Sequence, residues 1–399
     1  MIRQLIGSVR VRRLLLPFVA MAALALLAHA APRTPMADAE VLERLPWRAG
    51  DADARELSAL RTAVSKAAGD PVPAEQLAQR YFDLAGARGD PRYVGYAEAV
   101  VARFPGTLTP SLLSVRGMLR QYRHDFEGAL NDFAAALSLD PDFAAAHAWR
   151  AAIYLVAADY VAAHKACDAL QHLGRSTLAG GCRGLAQAYS GQLAAGAQTL
   201  QRTLGATRDP DNRLWLLTRL GEVAAWRGQP EQAERHFREA LSLGRDDGYL
   251  LAAWSDFLLD AGRPDEVLRQ LARWEASDSL LLRLAEAGAA LKAPGAARHA
   301  QMLADRYAAA RSRGDTTHRA EEARYLLHLR GDARQALRLA AENYRIQREP
   351  RDARVLLEAA LAAQDGAAAQ AVRDWLRSSG FEDARLRRLG QASALAGWP

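Results

Sequence analysis

Four residues stand close enough along the chain to suggest chemistry: His164, Cys167, His172 and Cys182. Thiolates and imidazoles are the usual ligands of structural zinc, and a thiolate in an electropositive setting is a nucleophile. Helical spacing works against both. At roughly 100° per residue, Cys167 lies about 60° from His164, but His172 lies about 140° from Cys167. The short Cys-x-x-Cys pairs of zinc sites are also missing. No metal and no thiol catalysis is expected. The other histidines are scattered along the chain: His29, His124, His147, His236, His299, His318 and His328. The chain has no phosphate-binding glycine loop, no H-E-x-x-H and no G-x-S-x-G. Gly174-Arg175-Ser176-Thr177 lacks the flanking glycines such loops need. Glu321-Glu322 and Asp246-Asp247 read as helix starts, where negative charge suits the helix dipole. No catalytic residue and no cofactor is expected, and the chain is not read as an enzyme.

The elements that hold these residues repeat. A turn recurs at Gly89, His124, Ala158, Gly191, Gly228, Gly262, Gly295, Gly331 and Gly366, at steps of 33 to 37 residues. A period of that length is the signature of stacked helix pairs. Seven residues before the turn stand Phe82, Gly117, Ala151, Gly184, Gly221, Ser255, Gly288, Arg324 and Ala359, mostly small. Five residues after it stand Val94, Ala129, Ala163, Gly196, Ala233, Val267, Ala300, Ala336 and Ala371, again mostly small. Small residues let two antiparallel helices approach closely. Pro91, Pro230 and Pro264 fall where a second helix begins, and a proline there loses no needed N–H. Asp140-Pro141, Asp209-Pro210 and Glu349-Pro350 fall between copies, where a helix must stop. Apolar spacing is helical throughout, so the chain reads as all-α.

Two copies carry a full motif. One has Leu217, Leu220, Gly221, Ala224, Ala233, Phe237 and Ala240; the other has Leu113, Gly117, Phe126, Ala129, Phe133, Ala136 and Pro141. In small residues, second-helix aromatic and closing proline, this resembles the tetratricopeptide repeat family over residues 74–378. His147, Tyr249 and Arg245 depart from the pattern, and the copies around Gly295 and Gly366 are the least faithful of the later ones. The resemblance implies a right-handed α-solenoid of eight to nine antiparallel helix pairs. It also implies a concave groove lined by first helices, which takes a peptide or protein. On that reading Trp215, Glu222, Tyr249, Asp256, Tyr325 and His328 face the groove. The lysine and asparagine set of carboxylate-clamping relatives is not evident: the chain has only Lys66, Lys165 and Lys292.

At 399 residues a single compact core would exceed its usual size, but a solenoid buries each repeat only on its neighbours. The net charge is +6. Residues 1–30 hold Arg3, Arg10, Arg12 and Arg13 and no acid, so the balance without them is about +2. That removes most support for nucleic-acid binding. The basic stretch, the apolar run Leu14 to Leu27 and Ala28-His29-Ala30 read as a secretory signal. A run of that length is short for a membrane span. The reading is an exported, periplasmic or secreted bacterial protein cleaved near Ala30, with an inner-membrane anchor as the alternative. Residues 31–50 form a flexible lead-in, 51–105 a capping helix and degenerate repeat, 106–378 the solenoid and 379–399 a C-terminal capping segment. Cys167 and Cys182 then lie on antiparallel neighbours across one connection, and export favours a disulfide between them.

Together these features point to a non-enzymatic interaction scaffold with a protein or peptide partner, no nucleic acid and no metal. The alternative is a binding protein for an envelope polymer or small ligand, such as peptidoglycan or polysaccharide.

Overall fold

The structure is a computed structural model, and it describes residues 51–395 apart from 68 and 107, together with residue 37. The expected secretory segment, its expected cleavage near Ala30 and most of the expected lead-in lie outside the described residues. The chain divides into two compact units, residues 1–55 and 56–399. The boundary falls inside α1 (Ala52–Lys66). The paired helices all belong to the second unit.

Among the described residues there are helices and no strands. The helices succeed one another in antiparallel pairs. They are α2 (Pro71–Arg88) with α3 (Arg92–Val101), α4 (Pro110–Tyr122) with α5 (Phe126–Leu139), and α6 (Ala144–Val156) with α7 (Tyr160–His172). Next come α8 (Ser176–Tyr189) with α9 (Leu193–Ala206), α10 (Pro210–Trp226) with α11 (Pro230–Ser242), and α12 (Gly248–Asp260) with α13 (Pro264–Leu271). The last are α14 (Asp278–Ala290) with α15 (Ala296–Ser312), α16 (Arg319–Tyr325) with α17 (Ala333–Tyr344), and α18 (Pro350–Ala362) with α19 (Gln370–Ser379); α20 (Ala384–Leu395) closes on α18. Among the described residues no helix is long and apolar enough to cross a membrane.

Starts and stops have visible causes. Side chains of Asp125, Asp159, Asp209 and Asp247 accept from the second or third N–H of the helix they open. Those N–H groups have no partner inside the helix. First helices end on a residue of positive φ, which brings the next N–H back onto the final turn. Asp125 N–H donates to the Arg120 carbonyl and Gln229 N–H to that of Ala224. Within each pair the small column works at the crossing. A Cβ on Gly117 would stand 2.7 Å from the Phe133 ring, and one on Gly221 would stand 2.7 Å from the Phe237 ring. A Cβ on Gly184 would meet Leu200 at 2.6 Å. The partner stands sixteen positions on in every case.

Two turns lie elsewhere than expected. The positive-φ residue after α14 is Lys292, and the one after α18 is Gln364; Gly366 has φ −67. Closing bonds run from Ala293 N–H to the Gly288 carbonyl and from Asp365 N–H to that of Ala360. The left-handed position is set by where the helix ends, and Lys292 and Gln364 accept it. Gly295 instead opens α15. The steps therefore run from 30 residues (Gly262 to Lys292) to 39 (Lys292 to Gly331). The long step contains the extended α15 and a π-helical turn, Leu326–Arg330, at the end of α16.

The array winds far enough to meet itself. Gly89 lies against Ser277, and Gly248, which opens α12, lies over the Gly86 carbonyl of α2. Arg123 pairs with Asp315 at 3.7 Å. Arg348 N–H donates to the Val156 carbonyl at 2.7 Å. Gly191 lies on the carbonyls of Ser379 and Gly380. Tight turns of the first four repeats thus rest on connections that come 188, 192, 192 and 189 residues later. Side chains reinforce the join: Trp375 Nε1–H donates to the Tyr160 hydroxyl at 2.8 Å, and Leu193 N–H donates to Glu382 at 3.3 Å. Phe381, fully buried, meets Tyr189, Trp226 and Trp375 edge-on or tilted.

Gly191 and Gly228 both hold positive φ, at 80° and 68°, but only Gly191 sits on the join. A Cβ on Gly191 would be 2.8 Å from the Ser379 carbonyl oxygen, whereas one on Gly228 meets nothing within 4 Å. Gly228→Ala is expected to cost about 1 kcal/mol from the left-handed backbone alone. Gly191→Ala is expected to cost about 1–3 kcal/mol more, because overpacking adds to that strain. Denaturant unfolding checks this, and equal losses would contradict it.

Candidate functional site on the inner face

First helices stack on first helices along the array, and across the last five pairs their inward faces carry charge. Six residues before the positive-φ turn residue stand Glu222, Asp256, Glu286 and Glu358, on α10, α12, α14 and α18. On α16 the π turn adds one residue, as the closing bond from Asp332 N–H to the Leu326 carbonyl shows. The inward position is therefore taken by Arg324 and not by Tyr325. Arg324 stands between two acids, 2.7 Å from Asp256 and 2.6 Å from Glu286. Arg283 pairs with Asp256 at 2.7 Å. His328, inside the π turn, places Nδ1 2.8 Å from Glu286 and Nε2 3.3 Å from Glu358. Arg354 completes the string with Glu358 and Asp260, each at 2.8 Å, and Arg385 also pairs with Asp260. The Arg354–Asp260 contact joins first helices three repeats apart, so the string lies inside the winding.

A second cluster lies beside it. Tyr249 donates its hydroxyl to Glu222 at 2.7 Å, and Arg219 binds both of them. The Arg219 guanidinium also lies 4.2 Å from the Tyr249 ring centre, and that of Arg351 lies 5.7 Å from it. Such cations are held by the ring quadrupole. Arg351 in turn pairs with Glu349 at 2.6 Å.

The electrostatics follow from depth and pairing. Burial pushes Asp256 up, but Arg283 and Arg324 outweigh it and hold the carboxyl well below its ordinary range. Burial likewise works against Glu286, and Arg324 and His328 lower it overall. Glu358 is held at about 2 against burial by His328 and Arg354. His328 goes the other way: burial disfavours the imidazolium, yet bonds to Glu286 and Glu358 raise it to about 9. Asp256, Glu286 and Glu358 are therefore held as carboxylates and His328 as an imidazolium at neutral pH. Carboxylates engaged in this way are poor general bases, and among the described residues no three acids, cysteines or histidines are placed to hold a metal. The arrangement is one of matched charge. Its members keep some contact with water, from 8% of the side chain for Glu286 to 42% for Arg385.

Of the six residues expected on the groove, four belong here: Glu222 and Tyr249 in one cluster, Asp256 and His328 in the other. Trp215 packs against the core, with its ring over Gly181 of α8, where a side chain would collide with it. Tyr325 is buried and faces away, with Tyr307 at 5.5 Å between ring centres. Arg219, Arg283, Glu286, Arg324, Arg351, Arg354 and Glu358 do not stand out from the sequence pattern. Their signal is an acidic column six residues before the turn, visible once the turns are set at Lys292 and Gln364. Cys167 and Cys182 are joined, with Cα atoms 5.7 Å apart, at the junction of α7 and α8.

No protein-family model and no curated protein matches the chain. Solved structures similar to it include the APC/C hetero-tetramer Cut9-Hcn1, at 16% identity, with 77% of this chain and 52% of that one covered and a TM-score of 0.40. This chain thus spans about half the length of that one. Others are the human IFIT1 dimer with m7Gppp-AAAA (12% identity, 87% of each chain, TM-score 0.37) and yeast Tom70 (16%, 84% of this chain and 62% of that one, 0.30). The paired helices, their period and the glycine-on-aromatic crossings define a helical-repeat fold. The chain folds as an all-α solenoid of antiparallel helix pairs, similar to tetratricopeptide repeats. The inner face of this array is occupied by its own ion pairs.

His328 gives the string a pH signature. Its folded pKa lies above the ordinary value of 6.5, so its stabilising contribution is full below that pH and is lost as pH rises through about 9. Glu358, held at about 2, contributes above its ordinary value of 4.5 and loses that contribution only in strong acid. Wild type is therefore expected to exceed His328→Gln in melting temperature most at about pH 5–6.5, with the gap closing by about pH 9. A gap independent of pH would contradict this.

Proposed function

We propose that the protein is a non-enzymatic interaction scaffold that takes an extended, charge-bearing peptide segment of a partner along its inner face. The observation that carries this is the ladder from Arg219 and Glu222 to Arg354 and Asp260: charged side chains at repeat spacing, paired among themselves and still partly wetted. A partner's acidic and basic side chains exchange with pairs already present, at little net electrostatic cost. The same surface selects against apolar segments, which leave buried charges unmatched. A glycan platform is less well supported. Sugar recognition would use open aromatic faces, whereas Tyr249 is flanked by two guanidinium groups, and Trp215 and Tyr325 are packed.

For location, the cell envelope is the reading we favour. Its support is the basic-apolar-small order of Met1 to Ala30 and the Cys167–Cys182 bond, since disulfides persist in oxidising compartments.

Photo-crosslinkers at positions 328 and 385, on the inner string, and at the exposed Leu139 and Val161, on second helices, test the binding claim. The expected result is one reproducible polypeptide adduct from 328 and 385 and none from 139 and 161. A synthetic copy of the crosslinked segment should bind wild type and lose about tenfold or more on Asp256→Asn. Adducts only from 139 and 161, or only with glycan, would overturn the reading.

A further inference from the structure

The π turn that sends Arg324 inward opens a space on the opposite side of α16. A cavity of about 290 Å³ lies between α15, α16 and the start of α17. Its lining includes Tyr307, Arg311, Glu322, Tyr325, Arg330 and Gln335. Three observations mark it as more than a packing gap. Tyr307 is 1% exposed, yet its hydroxyl has no hydrogen-bond partner among the described residues. Buried hydroxyls nearly always have one. Next, neither the Arg330 guanidinium nor the Tyr325 hydroxyl has a hydrogen-bond or ion-pair partner among the described residues, so two donors on one wall are free. Finally, Glu322 is almost fully buried, and its one ion-pair partner, Arg311, leaves half of its own side chain in water.

The charges choose between ligand classes. One free arginine and a free phenol call for a carboxylate. A dianion such as phosphate would be set against the buried Glu322 carboxylate on the same lining. Glu322 faces the cavity with a single ion-pair partner, Arg311. A molecule with a carboxylate at one end and an ammonium at the other satisfies both walls. The volume, at the small end of ligand pockets, limits it to the size of an amino acid. We propose that this cavity binds a free α-amino acid as its zwitterion, the carboxylate on Arg330 and the Tyr325 hydroxyl and the ammonium on Glu322. The site lies outside the inner face and stands independently of the peptide-binding reading.

Calorimetric titration of the full chain tests it, using free amino acids from glycine to leucine and glutamine, with N-acetyl-leucine, leucinamide and inorganic phosphate as probes. At least one free amino acid is expected to bind about tenfold or more tightly than either blocked leucine or phosphate. Arg330→Ala and Glu322→Gln should each weaken it by a similar factor, and Tyr325→Phe by less. Arg330 is exposed, so Arg330→Ala is expected to keep the wild-type melting temperature. That keeps the test decisive even if Glu322→Gln unfolds. No binding of any free amino acid at millimolar concentration would overturn the proposal. So would equal binding of the blocked forms, or binding unchanged in Arg330→Ala.

Discussion

Tight turns in the first four repeats rest on connections about 190 residues later, and much else in the second unit depends on that join. It is built from backbone as much as from side chains: Val156 and Arg348 share a main-chain bond, and Gly191 lies on two carbonyls. Backbone can approach backbone this closely only where no Cβ intervenes. A glycine at such a turn therefore serves two constraints together, the left-handed exit from a helix and the contact with the next winding. Tyr189, Trp226, Trp375 and Phe381 seal the same join with apolar area.

Closing the winding removes the inner face from most of its water. Charge left there must be matched, because an unpaired buried ion costs several kcal/mol. The structure meets that demand by alternation. Acids recur at one position on four of the last five first helices, and arginines, among them Arg324 on the fifth, fill between them. The π turn in α16 belongs to this solution. One added residue rotates the helix enough to put Arg324 between Asp256 and Glu286, and it carries Tyr325 to the other side. The departure from regularity thus creates both the centre of the ladder and the cavity behind it.

Much of this architecture is legible in the chain. Period, helix pairs, proline starts and crossing glycines are local or pairwise features, and their residues recur at fixed offsets. The pairing of Cys167 with Cys182 needs only the order of two helices. The join between windings is not legible, because curvature accumulates from small rotations at every repeat and no residue type marks its sum. The ladder is half legible. Glu222, Tyr249, Asp256 and His328 stand out as polar residues on first helices, but Gly295 and Gly366 draw the turn assignments away from Lys292 and Gln364. That shift hides the acidic column, and a π turn has no sequence mark that would move Arg324 into register.

The closure of the winding is tested most directly by a double-mutant cycle on Tyr160 and Trp375, which are 215 residues apart and joined by a bond of 2.8 Å. Tyr160→Phe and Trp375→Phe, singly and together, are compared in denaturant unfolding. A closed winding predicts a coupling of about 0.5–1.5 kcal/mol between the two sites. A coupling of zero would mean that the two windings do not touch, and the enclosed inner face would fall with them.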